Sequence, residues 1–259
     1  MRRLYTKERI SATLTLTGTD ARHVGYALRG KVGDRYTVVD DYGTVAIMEA
    51  AAFREDEVDL RLVEYADGSV ATESPIFLIL AACLIKGEKF ELVVQKAVEL
   101  GVNRLVPLSS ENTVVKLEAR KAAARRERWQ KIADEAAKQC GRTRLMRVEG
   151  VKSLNAWLDQ EAREEIAGGA VGIFAYEKEA EISIGQFLTD RLKGEKAPER
   201  YLALVGPEGG FSQGEAQAAA AAGFNSVTMG PRIFRAETAA LTVAAIIQYQ
   251  CGDVGALPG

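Results

Sequence analysis

Between residues 76 and 229, short and nearly uninterrupted apolar runs alternate with helix-length amphipathic stretches, and that alternation leaves few folds open. The runs lie at 76–84, 104–108, 144–148, 170–175, 201–205 and 226–229. The segments between and after them predict helices at about 88–100, 118–140, 153–166, 183–192, 213–222 and 237–250. A strand that is apolar at successive positions has to be covered on both faces, and connectors long enough to hold a helix suit parallel pairing. The pattern therefore predicts an α/β domain over 75–259, a parallel sheet between two helical layers. The Ala-rich stretches at 122–124 and 216–222 fall where helices are expected and strengthen them.

The first 70 residues have a different texture. Thr13-Leu14-Thr15-Leu16-Thr17 alternates strictly, and β-branched or alternating runs recur at 35–40, 43–49 and 58–63, parted by Gly18, Gly33-Asp34 and Asp41-Tyr42-Gly43. Period-two segments between turn residues predict a small antiparallel barrel over 1–70, with one short helix near 20–29. A polar joint, Asp67-Gly68-Ser69 through Ser74-Pro75, separates the two textures.

Composition narrows the function. The 259 residues are 47% hydrophobic and 27% charged, enough apolar material for a real core in water. No apolar run approaches the ~18 residues a membrane helix needs, and no apolar stretch follows Arg2-Arg3 to make a secretory signal. Three distant cysteines, Cys83, Cys140 and Cys251, form neither a disulfide framework nor a metal-binding spacing, so a cytoplasmic protein is expected. His23 is the single histidine, which excludes His-rich metal sites and leaves any Ser-His-Asp triad only His23 to use. The net charge of −2 conceals two basic clusters: residues 1–35 hold eight Lys/Arg against three Asp/Glu, and residues 116–147 hold eleven against four. Basic clusters on an acidic background suit a defined polyanion-binding face, although solvated surface charge gives the same pattern.

Three strand exits carry unusual loops, and in a parallel sheet ligands bind beyond the carboxyl ends of the strands. The first is Gly206-Pro207-Glu208-Gly209-Gly210-Phe211-Ser212, with more glycine than a plain turn needs and with Ser212 and Glu215 at capping-box spacing. It lacks both the Lys-Ser/Thr ending of a phosphate loop and the dinucleotide fingerprint, which argues against a nucleotide-dependent oxidoreductase. The second is Met229-Gly230-Pro231-Arg232-Ile233-Phe234-Arg235-Ala236-Glu237-Thr238-Ala239, which enters a helix and sets Arg, Glu and Thr beside its N-terminal amides. The third is Ile85-Lys86-Gly87-Glu88-Lys89, which leads into a helix stopped by Gly101. The central expectation is that the loops led by Gly206 and Gly230 converge on one pocket.

Lys86-Gly87, Gln95-Lys96-Ala97-Val98-Glu99-Leu100-Gly101-Val102, Gln139-Cys140-Gly141-Arg142, Gly206-Pro207-Glu208-Gly209-Gly210-Phe211 and Gly230-Pro231-Arg232-Ile233-Phe234-Arg235-Ala236-Glu237-Thr238-Ala239, in this order, resemble the bacterial ribosomal RNA small subunit methyltransferase E family. The resemblance spans essentially the whole chain. It extends to Arg2, His23-Val24, Leu28-Arg29 and Lys31-Val32-Gly33-Asp34, which are similar to the family's PUA-like RNA-binding domain. Ala236 stands where the family usually has Thr, Phe234 where Leu is common, and Arg22-His23 where a double His is usual.

The resemblance implies a SPOUT-superfamily fold with a deep trefoil knot, a homodimer, and S-adenosylmethionine as cofactor. The substrate it implies is N3 of a uridine in 16S ribosomal RNA. On that basis Leu204, Gly206, Gly210, Met229 and Ile233 are expected at the adenine and ribose, with Pro207, Glu208, Gly230, Thr238 and Ala239 completing the pocket. Arg232 or Arg235 is expected to stabilise a developing uracil anion and Glu237 to take the N3 proton. Arg2, Arg3, Arg9, Arg22, His23, Arg29, Lys86 and Arg142 are expected to meet RNA. The rival reading is a non-catalytic RNA-binding or ribosome-assembly factor that keeps the fold.

Overall fold

In the N-terminal segment, side-chain alternation decides which face of each strand is buried. The structure, a computed structural model, describes residues 2–40, 42–66, 72–115, 118–179, 181–193 and 199–256. Asp41, Asp67-Gly68-Ser69 of the joint, and Lys116 of the basic cluster lie outside the described residues. Contacts divide the chain into two units: residues 1–73 with 137–145, and residues 74–136 with 146–258.

In the first unit, β2 (Thr13–Thr17) turns Leu14 and Leu16 inward and its threonines outward. The strand β4 (Val45–Arg54) buries Ala46, Met48 and Ala50, and β5 (Glu57–Tyr65) buries Val58 and Leu60. With β1 (Arg2–Thr6) and β3 (Arg35–Asp40) they form one five-stranded sheet in the order β1-β3-β4-β5-β2. The pairs β3-β4, β4-β5 and β5-β2 are antiparallel, but β1 lies parallel to β3, with Leu4 opposite Val38. The expected antiparallel pairing thus holds for three of the four neighbouring pairs, and β1 adds a parallel one. Residues 2–6 escape a period-two reading because Leu4, Tyr5 and Thr6 are all buried in succession. The helix expected at 20–29 begins earlier, as α1 (Gly18–Arg22), and continues through a π-helical turn at His23–Ala27 that seats Val24 in the core.

Two buried carboxylates organise this unit. Asp40, 3% exposed, accepts the amides of Ile10 (3.1 Å), Tyr42 (3.0 Å) and Thr44 (2.8 Å). Glu73 accepts the amides of Thr143 and Arg144, each at 2.8 Å, and the Arg142 guanidinium at 2.7 Å. Arg142 is 4% exposed, so its expected role against RNA is corrected. A guanidinium sunk beside a carboxylate holds the 137–145 segment in place and is not offered to a phosphate.

The second unit follows the α/β expectation. Strands β6 (Phe77–Cys83), β7 (Arg104–Ser109), β8 (Arg147–Val148), β10 (Val171–Ala175), β11 (Arg200–Val205) and β12 (Asn225–Val227) form a parallel sheet in the order β12-β10-β11-β6-β7-β8. A short β9 (Lys152–Ser153) also pairs with β7. Four strands, β6, β7, β10 and β11, are buried almost throughout because helices cover both faces. The helices α2 (Lys89–Glu99), α6 (Ile184–Leu192) and α8 (Ala236–Cys251) pack together on one side. On the other, α4 (Leu154–Trp157), a π-helical turn, α5 (Arg163–Ala167) and α7 (Gln213–Ala221) enclose Trp157, Leu158, Ala219 and Phe224. The long helix α3 (Ala119–Cys140) seats Trp129 against Phe90, ring centroids 4.7 Å apart. Two strands are shorter than expected: 144–148 contracts to Arg147–Val148 and 226–229 to Asn225–Val227. In the first case Arg144 is spent on Glu73.

The chain lays down β6, β7 and β8 outward in one direction, then returns to insert β11 beside β6 and β10 beyond it. That reversal opens a crevice outside the carboxyl ends of the neighbouring strands, where an open α/β sheet binds its ligands. Among the described residues no helix is long and apolar enough to cross a membrane.

Candidate active site

The loop after β11 is built to stay open. Proline at 207 limits its entry, and the loop ends in the capping box expected at Ser212: Glu215 N–H donates to Ser212 Oγ (3.2 Å), and Glu215 Oε2 accepts the Ser212 N–H (2.9 Å). Neighbouring strand exits anchor it. The Lys86 amide donates to Glu208 Oε1 (3.1 Å), Asn112 Nδ2 donates to the carbonyls of Gly209 (3.3 Å) and Gly210 (3.1 Å), and the Glu111 amide donates to Glu215 Oε1 (2.7 Å). Gly206 has no room for a side chain, since a Cβ there would lie 2.6 Å from the Phe211 ring. The absence of that Cβ leaves the β11 exit open to a close approach by a ligand.

The loop after β12 faces it. Gly230 turns at φ 115°, a conformation that other residues rarely adopt, and the chain then passes along the cleft to α8. Arg235 is the N-cap of α8 and makes no side-chain capping bond, so the first amides of a 16-residue helix are left for another partner. Together the two loops, the β10 exit at Ala175–Glu177 and the first turns of α2 and α8 enclose a cleft of about 670 Å³. That volume is within the ~300–1,000 Å³ of small-molecule sites.

One ion pair crosses this cleft. Lys89 Nζ lies 3.1 Å from Glu237 Oε1, with the lysine 42% and the glutamate 13% exposed. Burial pushes the Glu237 carboxyl up. Its own backbone amide, Lys89 and Arg235 pull it down by more, so the group sits below the usual carboxylate range. Its other oxygen, Oε2, is buried without a hydrogen-bond partner. A carboxylate oxygen left so is costly unless a ligand supplies the donor.

The structure brings most of the expected cofactor residues together: Gly206, Pro207, Glu208, Gly210, Met229, Gly230, Ile233 and Ala239 all line the cleft. Arg232, Arg235 and Glu237 line it too, the two arginines exposed at its rim. Two expected residues do not. Leu204 turns into the core layer with Trp157 and Phe211. Thr238 lies one helical step of ~100° past Glu237 and is exposed. Of the residues expected at RNA, Arg2, Arg9, Arg22, His23 and Arg29 are exposed in the first unit and Arg3 is half-buried. Arg9 stands 5.1 Å from the centroid of the Tyr42 ring, and Arg29 adopts a left-handed φ of 52°. The Lys86 side chain is exposed beside the β11 loop. Lys89, Tyr176 and Glu177 line the cleft and were missed. Lys89 reads from the sequence as one more polar position at a helix start, and no local pattern pairs it with a carboxylate 148 positions away.

Residues 72–248 match the family of RNA methyltransferase domains. The ribosomal RNA small subunit methyltransferase E of Bacillus subtilis is 33% identical over 251 residues, covering 95% of this chain and 94% of that protein. Its counterpart from Synechocystis is 32% identical over 235 residues, covering 89% and 71%. Among solved structures, the ribosomal RNA small subunit methyltransferase E of Neisseria gonorrhoeae, bound to S-adenosyl methionine, matches with a TM-score of 0.82 at 28% identity. That match covers 98% of this chain and 99% of the other.

Proposed function

Because this chain belongs to the ribosomal RNA small subunit methyltransferase E family, we propose that it transfers a methyl group from S-adenosylmethionine to N3 of one uridine in 16S ribosomal RNA. Ribosomal RNA methylation with this cofactor follows from membership. Choice of uracil N3 rests on the resemblance and on the chemistry available in the cleft.

The observation that carries the reading is the convergence of the Gly206 and Gly230 loops on one cleft that holds a buried, unpartnered Glu237 oxygen. The residues present suit the cofactor. Backbone groups around Gly206, Gly210 and Met229 and the uncapped start of α8 can hold a polar molecule, and the Pro207 and Ile233 side chains supply apolar contact. S-adenosylmethionine, when bound, supplies a methyl group already activated on sulfur, which leaves the protein alignment and proton handling. Uracil N3 must lose its proton as it takes the methyl. Glu237, kept ionised by Lys89 and Arg235, is the acceptor in this reading. A weak base is sufficient there, because the N3 proton becomes more acidic as the new bond draws electron density from the ring. Arg232 or Arg235, at the rim, stabilises negative charge on the uracil oxygens.

In this reading the first unit is the RNA-docking domain. Arg2, Arg3, Arg9, Arg22, His23 and Arg29 meet phosphates and hold the substrate in register without reading its sequence. The target base then has to leave its stack to reach the cleft. The knotted SPOUT topology and the homodimer belong to the same reading, and sedimentation velocity on the purified protein tests the dimer. The chemistry is tested by single-turnover methylation of 16S ribosomal RNA with Glu237→Gln. The expected loss is about 10²-fold or more, with the modified atom identified by nucleoside mass spectrometry. An unchanged rate removes Glu237 as acceptor, and methylation at another atom removes the N3 reading.

A further inference from the structure

The charges of α3 oppose the helix that carries them. Residues 120–131 hold Arg120, Lys121, Arg125, Arg126, Arg128 and Lys131 against the single acid Glu127, and the first turn has no acidic residue. A helix N-terminus carries partial positive charge, so cations there work against the macrodipole. Lys121 and Arg125 are four apart, and Arg125, Arg128 and Lys131 are three apart, so like charges also face each other along one side. Nothing in the stability of the helix asks for this arrangement.

The structure sorts these cations. Arg126 Nε donates to the Val148 carbonyl (3.2 Å), Arg128 pairs with Glu91 on α2 (2.8 Å), and Lys121 has Glu118 at 3.4 Å. Arg120, Arg125 and Lys131 are exposed and, among the described residues, make no ion pair. Arg120 and Lys131 lie within ~20° of each other around the helix and face away from the buried Trp129 and Ala133, while Arg125 lies ~140° round from Arg120, exposed on the flank nearer Trp129. Over the ~16 Å that residues 120–131 span along the axis, the helix presents a row of cations to solvent. The segment that precedes it, from Ser110, reaches the β11 loop through Asn112, so the helix starts at the cleft's edge of the sheet.

We propose that the exposed arc of α3, from Arg120 and Lys131 on one side to Arg125 on the other, is a second RNA-docking surface, in the methyltransferase unit itself, which grips the phosphate backbone of the ribosomal RNA substrate. The inference rests on the reading of that substrate as RNA. Charge complementarity selects the occupant: exposed cations that pair with no acid among the described residues fit a regularly spaced polyanion. A phosphate grip close to the cleft would hold the strand on either side of an extruded base.

The test is the triple variant R120Q/R125Q/K131Q, full length, checked for an unchanged circular dichroism spectrum and unchanged S-adenosylmethionine affinity by calorimetry. Binding of 16S ribosomal RNA is measured from 50 to 250 mM salt. Each lost phosphate contact lowers the slope of log K against log salt by about 0.7–0.9, so three contacts remove about 2–3 from it. Affinity at the low-salt end falls at least tenfold, and R120E/R125E/K131E falls further. A wild-type salt slope in the triple variant overturns the inference while leaving the methyltransferase reading intact. A wild-type protein that binds S-adenosylmethionine but neither binds nor methylates ribosomal RNA overturns the substrate reading, and this inference with it.

Discussion

Replacing Lys89 by methionine keeps most of the side chain's length and removes its charge, leaving Glu237 with Arg235 and its own amide as the groups that favour ionisation. Two unit charges about 4 Å apart interact by about 1 kcal/mol in water and about 4 kcal/mol at an effective dielectric of 20. Here the separation is 3.1 Å, with Glu237 largely buried but Lys89 42% exposed, and that exposure draws the pair toward the screened limit. The screened limit of about 1 kcal/mol is therefore the scale of what Lys89 contributes. The sign follows from which form is needed. Lys89 lowers the pKa of Glu237, so its loss raises it, and the ionised acceptor then appears at higher pH. The other charged groups at the cleft, Glu177, Glu208 and Arg232, stay in place and act on both proteins alike. Single-turnover methylation of 16S ribosomal RNA at saturating cofactor, followed from pH 5 to 9, should show the acid limb of the K89M profile displaced to higher pH. The alkaline plateau should change little, and K89R should return the limb toward wild type. A K89M profile reduced equally at every pH, with its limb unmoved, would refute the argument, because it would make Lys89 a packing or binding residue only.

Three further outcomes follow from burial. Trp129→Ala, which empties the site beside Phe90, should cost about 3–5 kcal/mol in urea unfolding, and a loss under 1 kcal/mol would mean that α3 does not depend on this contact. Glu73→Ala takes the carboxylate away from the buried Arg142 guanidinium and two amides, so a loss of about 3–5 kcal/mol is expected, again read from urea unfolding; near-wild-type stability would contradict the buried pair. Burial pushes the Cys83 thiol up to about 12, so mass spectrometry after treatment with a thiol reagent at pH 8 should find Cys140 and Cys251 labelled and Cys83 spared until the protein unfolds. Early labelling of Cys83 would show the β6 core to be open.

Some features of the molecule are legible in the chain because their causes are local. The apolar runs at 76–84 and 201–205 have no polar face to give water, and so a sheet covered on both sides could be inferred before its strands were paired. The Ser212–Glu215 box is a contact between residues three apart, and spacing alone suffices to find it. The register of the N-terminal sheet is another matter. Three successive buried side chains in β1 break the alternation that a period-two reading needs, and the parallel pairing with β3 depends on where residues 34 positions later come to lie. The two site residues placed outside the cleft, Leu204 and Thr238, stand next to lining residues in the chain, and a shift of one position along a strand or helix changes which way a side chain points.

By itself the sequence determined the two textures, the glycine-opened strand exits and the family to which those motifs are similar, since each is written in residues close together along the chain. Only the tertiary structure decided that Lys89 meets Glu237, that Arg142 is buried against Glu73, and that Arg120, Arg125 and Lys131 pair with no carboxylate among the described residues. Those outcomes are electrostatic, and a charge's energy depends on its distance in space and the solvent around it, neither of which is encoded in its neighbours along the chain.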